Sequence, residues 1–370
     1  MQNTPLHHVV IIGGGFGGLY AAKALRHVPV RVTLIDKRNF HLFQPLLYQV
    51  ATGGLSPGDI AHPLRSVFAR DRHISVMLAE VIDINVAQQT VILRDGSLTY
   101  DTLVIATGAS HQYFGHDEWE PQAPGLKTIE NALEIRRRIF LAFEAAEREA
   151  DPTKRRALMT FAIVGGGPTG VELAGTLGEL AHTTLKGHFR AIDPTQVNIF
   201  LVEGEGCVLP TFPADLSAKA EVALRRLGVT VRTHTRVTNI DNGTVTMRHG
   251  DATDSIHAHT ILWTAGVKAS GLGAALAKHT GVALDRAGRV TVEPDLTIPG
   301  HAEIFVIGDL AAYVHQDGKP LPGLAAVAIQ QGRYVGDAIK QRLQGNTPTA
   351  FRYVNKGNLA IIGRNAGVAD

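Results

Sequence analysis

An α/β architecture of two similar domains, the second inserted into a discontinuous first, follows from three observations on this 370-residue sequence. An apolar run, a glycine turn and a helix-like start occur at residues 8–22 as "HVVIIGGGFGGLYAA", and again at 161–175 as "FAIVGGGPTGVELAG". Both are followed, in the same order, by a strand ending in a carboxylate and by a buried β-branched run stopped at a glycine. A further apolar strand, "IFVIGDLAAY" at 304–313, stands after the second set is complete and predicts a return to the first domain. Length agrees, because single cores stop growing at roughly 250–300 residues.

The elements follow in order. Val9 to Ile12 reads as a strand, Gly13, Gly15 and Gly18 as a tight turn and helix start, and "RVTLIDKRN" as a second strand ending at Asp36. "VILRDGSLTY" is hairpin-like, with its turn at Asp95-Gly96, and "TLVIATGAS" at 102–110 is a buried strand. The Pro- and Gly-rich stretch 116–128 marks a boundary near residue 115. The helix after it places Leu133, Ile139, Phe140 and Phe143 on one broad face. The pattern then restarts: strand and turn from Phe161, a strand ending at Glu203, a helix over 214–227, and "TILWTAGVKAS" at 260–270. Gly13 pairs with Gly165, Asp36 with Glu203 and Gly108 with Gly266, a weak internal duplication of a whole supersecondary unit. The domains drawn on this basis are 1–115 and 291–345 for the first, 116–290 for the second, and 346–370 as the start of a C-terminal region.

Composition excludes several functions. Lys plus Arg number 36 against 34 Asp plus Glu, a net charge of +2, so no nucleic-acid partner is expected. Cys207 is the single cysteine, which rules out an intramolecular disulfide, a CxxC redox pair and a cysteine-rich zinc site. No metal site is expected. Met1 to His8 lacks the basic and apolar regions of an export signal, and no apolar stretch approaches the roughly 20 residues that span a bilayer.

The glycine turns carry the chemistry. In GxGxxG after a strand, the first glycine makes the turn, the second lets backbone approach a pyrophosphate, and the third allows close helix-strand packing. Gly13, Gly15 and Gly18 fit this pattern, and Gly165, Gly167 and Gly170 fit it again. Each following helix aims its N-terminal N–H groups at phosphate. One such match is weak, but Asp36 and Glu203, each ending the next strand, are placed to bind ribose hydroxyls and repel a 2′-phosphate. Glu203 stands further beyond its turn than the usual interval of about 20, and the insert "HTTLKGHFRAIDPTQ" accounts for the excess. With Glu205 nearby and no arginine directly after Glu203, NADH is favoured over NADPH. The fold class is thus two Rossmann-like dinucleotide-binding domains.

The motifs "VVIIGGGFGGL", "FQPLLYQVATGGLSPGDIAHPLR", "FAIVGGGPTGVELAGTLGEL", "IFVIGDLAAY" and "YVNKGNLAIIGR", in this order, resemble the type II NADH:quinone oxidoreductases, single-subunit non-pumping flavoproteins. The resemblance covers nearly the whole chain. It implies FAD on the first turn, held by Gly13, Gly15, Gly17, Gly18, Asp36, Lys37, Gln49, Ala106, Thr107, Gly108, Gly308 and Asp309. It implies NADH on the second, held by Gly165, Gly167, Thr169, Gly170, Glu203 and Gly266. Taken alone, Asp309 reads as a helix N-cap. Disulfide reductases carry a cysteine pair in the region of "FHLFQPLLYQVATGG", and this chain has none there.

The resemblance places Glu172, read as lying in the first helical turn, where nicotinamide and flavin meet, and gives Lys356 the charge of the reduced flavin to stabilise. "LPGLAAVAIQQG" resembles the family's quinone motif AQxAxQ, with Ala326 in place of the first glutamine and Gln330 matching the second; Leu359 falls on the same side. The runs Arg136 to Arg138 and Lys154 to Arg156 read as solvated faces. The family implies peripheral attachment at the cytoplasmic face of the membrane through C-terminal amphipathic helices beyond "IIGRNAGVAD", and admits a homodimer. The alternatives are a reductase of another quinone such as a phylloquinone precursor, a soluble NADH diaphorase, and a redox-sensing interaction protein.

Overall fold

The computed structural model describes residues 6–315 and 318–370; residues 1–5, part of the stretch read for an export signal, lie outside them. Contacts divide the chain into two units. Unit 1 comprises Met1–Leu42, Ala61–Ser110 and Val267–Lys356, and unit 2 comprises Phe43–Ile60, His111–Gly266 and Gly357–Asp370.

Unit 1 opens with β1 (His8–Ile12), helix α1 (Phe16–Ala24), β2 (Arg31–Asp36) and β3 (Ile74–Leu78). An antiparallel meander β4 (Val81–Asn85), β5 (Thr90–Leu93), β6 (Gly96–Thr99) follows, then β7 (Thr102–Ile105). Every residue of β1 and β7 is buried, as an unbroken apolar run in a sheet covered on both faces requires. The predicted turn at Asp95-Gly96 lies one residue earlier: Gly96 pairs with Leu93, leaving Arg94 and Asp95 as the loop.

Unit 2 repeats this sequence of elements. After helix α2 (Ile129–Arg148) come β8 (Thr160–Val164), α3 (Pro168–Glu179), β9 (Asn198–Val202), α4 (Ala214–Arg226) and β10 (Val229–Arg232). A second meander, β11 (Thr235–Asp241), β12 (Thr244–His249), β13 (Ala252–His257), leads to β14 (Thr260–Trp263). The parallel order β14-β8-β9-β10 reproduces β7-β1-β2-β3 strand for strand. The first strand is central in both: Ile12 pairs with Ile35 and Ile105, and Val164 with Val202 and Trp263. The duplication therefore extends from the glycine turn through the meander.

On returning to unit 1 the chain forms α5 (Leu272–Thr280), β15 (Thr297–Ile298), β16 (His301–Val306) and α6 (Ala325–Leu343). Strand β16 adds in parallel to β7, so "IFVIGDLAAY" completes the first sheet, in the order β15-β16-β7-β1-β2-β3. Re-entry at Val267 comes ahead of residue 290, where the sequence break was drawn, because α5 buries Leu272 and Leu276 in the core formed with Val10, Ile12, Leu103 and Ile105. Likewise Phe43–Ile60 groups with unit 2, where its short helix Leu47–Ala51 packs on α2 and α3. The last elements, β17 (Leu359–Ile362) and β18 (Ala366–Ala369), form a hairpin on α3.

Helix α2 begins with a capping box at Thr128 and Asn131 and buries Ile135, Ile139 and Phe143, whose ring centroid lies 5.6 Å from that of Phe161. Leu133, assigned to that face, is instead 43% exposed; the buried stripe runs through Ala132, one residue earlier. The basic run beside it is paired, with Arg137 and Arg138 both on Glu134. No described helix is long and apolar enough to cross a membrane.

Candidate functional site

Each glycine turn is built from backbone. At the first, Gly13 takes φ +103°, open to glycine alone at low cost, and its N–H donates to Ile35 O at 2.7 Å. A side chain on Gly13 would run into the Ala106 carbonyl, and one on Gly18 into the Gly13 carbonyl. A methyl on Gly15, by contrast, would meet nothing within 4 Å. At the second turn Gly165 takes φ +109° and donates to Val202 O at 2.8 Å, a methyl on it would stand 2.6 Å from Ala265 N, and one on Gly170 would strike the Gly165 carbonyl. Gly167 again faces open space. Both turns thus present a closed base and a bare middle glycine at a helix N-terminus, a cradle that fits a pyrophosphate.

The strand-terminal carboxylates take equivalent positions. Asp36 Oδ2 accepts the Gly14 N–H at 2.6 Å and Oδ1 the Arg38 N–H at 2.6 Å. Glu203 Oε2 accepts the Gly166 N–H at 2.5 Å and Oε1 the Glu205 N–H at 2.8 Å. Burial raises the Asp36 pKa above the ordinary carboxylate value against these hydrogen bonds. Each carboxylate retains lone pairs for a ribose hydroxyl.

The other residues assigned to the first turn divide by what surrounds them. Gly17 faces inward, where a methyl would lie 3.1 Å from Ile307 Cδ1; Ala106 is buried; Thr107 bonds Ser270; Gly108 takes φ +67° with open space before it; Lys37 is exposed. Gln49 lies in unit 2, donating to the Tyr48 hydroxyl at 3.1 Å. Among those assigned to the second turn, Thr169 is the second residue of α3, and Gly266 takes φ +71° against Phe114.

Asp309 is not a helix cap. It lies inside the single turn Gly308–Leu310, whose cap position is Ile307, and its carboxyl sits 3.1 Å from where a side chain on Gly323 would begin. Gly308, at φ +70°, donates its N–H to Gln331 Oε1 at 2.7 Å. Gln331 is 1% exposed, and no motif of the sequence marks it. The signal that could have found it is a glutamine on the buried face of a helix otherwise lined by Val327, Ala328 and Val335. That face docks on α1 with almost no separation, since a side chain on Gly332 would enter the Gly17 carbonyl and one on Gly336 the Ala24 methyl.

Glu172 is displaced from its expected place. Helix α3 starts at Pro168, so Glu172 is its fifth residue and the first turn holds no acid. There it faces the end of the chain: Ile361 N–H points at its Oε1 at 3.5 Å, the outer limit of a hydrogen bond. Burial raises its carboxyl to about 7, opposed only by that N–H. Its charge helps burial to hold the Tyr48 phenol above its ordinary value. Glu172 is thus a carboxyl able to hold or release a proton near neutrality.

Of the residues assigned to the quinone, Ala326 lies in the first turn of α6, and Gln330 one turn on uses both ends of its amide on Val354, donating to its carbonyl at 2.9 Å and accepting its N–H at 3.0 Å. Lys356, exposed, ends the last segment of unit 1; Leu359, 63% exposed, opens β17 in unit 2.

Two Rossmann-like units, each with a dinucleotide cradle, define a pyridine nucleotide oxidoreductase of the two-domain kind, and the pyridine nucleotide-disulphide oxidoreductase family model matches residues 7–332. The chain is 46% identical over 371 residues to the type II NADH:quinone oxidoreductase Ndh of Mycobacterium tuberculosis, covering 98% of this chain and 79% of that one. It is 30% identical over 367 residues to the type II NADH:quinone oxidoreductase of Staphylococcus haemolyticus, covering 97% and 88%. The NDH2 structure from Plasmodium falciparum in complex with NADH superimposes with a TM-score of 0.90 over 98% of this chain and 90% of that one; at 20% identity this is a likeness of fold. The chain belongs to the type II NADH:quinone oxidoreductases.

Proposed function

We propose that this chain oxidises NADH and reduces a quinone, with FAD held by unit 1 and NADH by unit 2. The observation that carries the reading is the repeated cradle, closed at its base, bare at Gly15 and Gly167, and flanked by Asp36 and Glu203. FAD, held by the residues of the first turn in unit 1, would supply the redox chemistry, hydride acceptance and two-electron donation. The protein's part is positioning and charge.

The N-terminal amides of α1 and α3 face the two pyrophosphates, and Asp36 and Glu203 take the adenosine riboses. Asp309 reaches the ribityl or pyrophosphate portion from a backbone fixed by the Gln331 hydrogen bond at Gly308. Glu172 orients the nicotinamide and exchanges a proton, a role its raised pKa supports. Lys356 supplies positive charge to the reduced flavin. Ala326, Gln330 and Leu359 border the quinone side, and the replacement by Ala326 removes one polar contact there. Peripheral attachment at the cytoplasmic membrane face belongs to the same reading, supported by the quinone acceptor named for the relatives.

The test is to purify the protein, identify the flavin it releases, and follow its reduction by NADH and reoxidation by a water-soluble quinone in stopped flow. Reduction without reoxidation by any quinone would leave a diaphorase. Tight NADH binding without turnover would instead favour a sensor.

A further inference from the structure

The strand end carrying Glu203 is approached by a cation from a later strand. The chain around the start of β11 is hydrogen-bonded to the turn after β9: Thr235 N–H donates to Glu203 O at 2.9 Å, and His234 N–H to Glu205 O at 2.8 Å. This register carries Arg236 over Gly204, the residue directly following Glu203. A methyl built on Gly204 would stand 3.5 Å from Arg236 Cγ and 3.9 Å from its Nε. Arg232, four residues earlier, is committed to Asp254 at 2.6 Å. Arg236 is exposed, and among the described residues it has no ion-pair partner.

In a Rossmann-like domain the strand-terminal carboxylate meets the adenosine ribose, and an arginine nearby is what accommodates a 2′-phosphate. No arginine directly follows Glu203 in the sequence, but Gly204 has no side chain, and the stem of Arg236 lies over the place that one would take. A guanidinium suits a phosphate better than an ammonium does, because its planar fork donates two parallel hydrogen bonds.

We propose that Arg236 forms a 2′-phosphate subsite in unit 2, so that the enzyme takes NADPH as a second hydride donor. Glu203, repelling the same phosphate, sets the preference for NADH. This rests on the reading of unit 2 as the nicotinamide-dinucleotide domain. The hydride leaves the nicotinamide as it does from NADH, and only the adenosine end of the donor differs.

The experiment titrates 5′-ADP and 2′,5′-ADP calorimetrically into the flavin-loaded full chain, beside kcat/KM for NADH and NADPH. Arg236→Ala is expected to weaken 2′,5′-ADP and lower kcat/KM for NADPH by about tenfold or more, the worth of a hydrogen bond to a charged group. Binding of 5′-ADP should stay within about twofold. Arg236→Lys should recover part of the loss, and Glu203→Gln should tighten 2′,5′-ADP. Equal losses for both ligands, or unchanged 2′,5′-ADP binding in Arg236→Ala, would overturn the proposal. A wild-type protein that binds 5′-ADP but not 2′,5′-ADP defeats the subsite alone. One that binds neither, and is not reduced by NADH, defeats the reading of unit 2 and the subsite with it.

Discussion

The side-chain oxygen of Gln331 accepts the backbone N–H of Gly308 at 2.7 Å, from a residue 1% exposed. A helix that carries no glycine-turn signature therefore holds the residue before Asp309. Gln331→Leu leaves that N–H without its partner and should cost about 1–3 kcal/mol. The measurable outcome is a lower Tm together with flavin lost on gel filtration. A variant as stable and as yellow as wild type would detach Gln331 from the flavin site.

The third glycine of each turn provides a paired test. Gly18→Ala and Gly170→Ala each drive a methyl into the carbonyl of the turn's first glycine. Gly18→Ala is expected to yield colourless protein, whereas Gly170→Ala keeps its flavin but is no longer reduced by NADH. Gly271→Ala is the control: it sits at φ −59° with nothing within 4 Å, and should gain about 0.4–1 kcal/mol. If the two turn variants lose the same ligand, the division of labour between the units is wrong.

Glu172 sets a pH dependence of definite sign. Its carboxyl titrates at about 7 in the folded chain against 4.5 ordinarily, so between those values the folded state binds the extra proton. The stability it contributes is full below pH 4.5 and is lost as pH rises through 7. Glu172→Gln cannot ionise, so its Tm should rise relative to wild type over that interval. The rate of flavin reduction by NADH should at the same time lose a step near pH 7. Superimposable rate profiles would take Glu172 out of the hydride-transfer step.

His8 works in the opposite direction. Its ring accepts from Arg31 at 2.9 Å, bonds Thr33 Oγ1 at 2.9 Å, and is held below 6.5 first by burial and then by the Arg31 charge. As pH falls through 6.5 the unfolded chain takes up the proton first, so stability present above that pH is lost below it. His8→Gln should lose less Tm than wild type on moving from pH 7.5 to about 5.5.

Gln330 grips Val354, two residues before Lys356. Gln330→Ala removes two hydrogen bonds of about 0.5–1.5 kcal/mol each and should speed amide exchange at Val354. Flavin reduction by NADH is expected to be unchanged while KM for quinone rises. An altered KM without faster exchange at Val354 would mean that Gln330 touches quinone directly.

What was legible in the sequence was local. Val9 to Ile12 and Phe161 to Val164 announce buried strands by unbroken apolar character, and the glycines after them specify turns that only glycine fits. Misplacements arose where an element's start or register was taken from one residue. Glu172 reads as a first-turn residue only if the helix start is set late, whereas Pro168 marks the start and makes it the fifth residue. Leu133 was placed on a face whose register belongs to Ala132. Gln331 over Gly308 and Arg236 over Gly204 depend on how distant segments align, and that is written in no short window of residues.

The seam between α1 and α6 has a genetic consequence. Gly332 and Gly336 let α6 close onto the Gly17 carbonyl and the Ala24 side of α1. Every missense change of one nucleotide in a glycine codon adds at least a Cβ, so at these positions only silent changes leave the contact intact. The outward faces of the same helices, free of that constraint, are where drift among relatives should accumulate. Deep mutational scanning would draw this seam as a line of intolerance set against the more permissive outward faces.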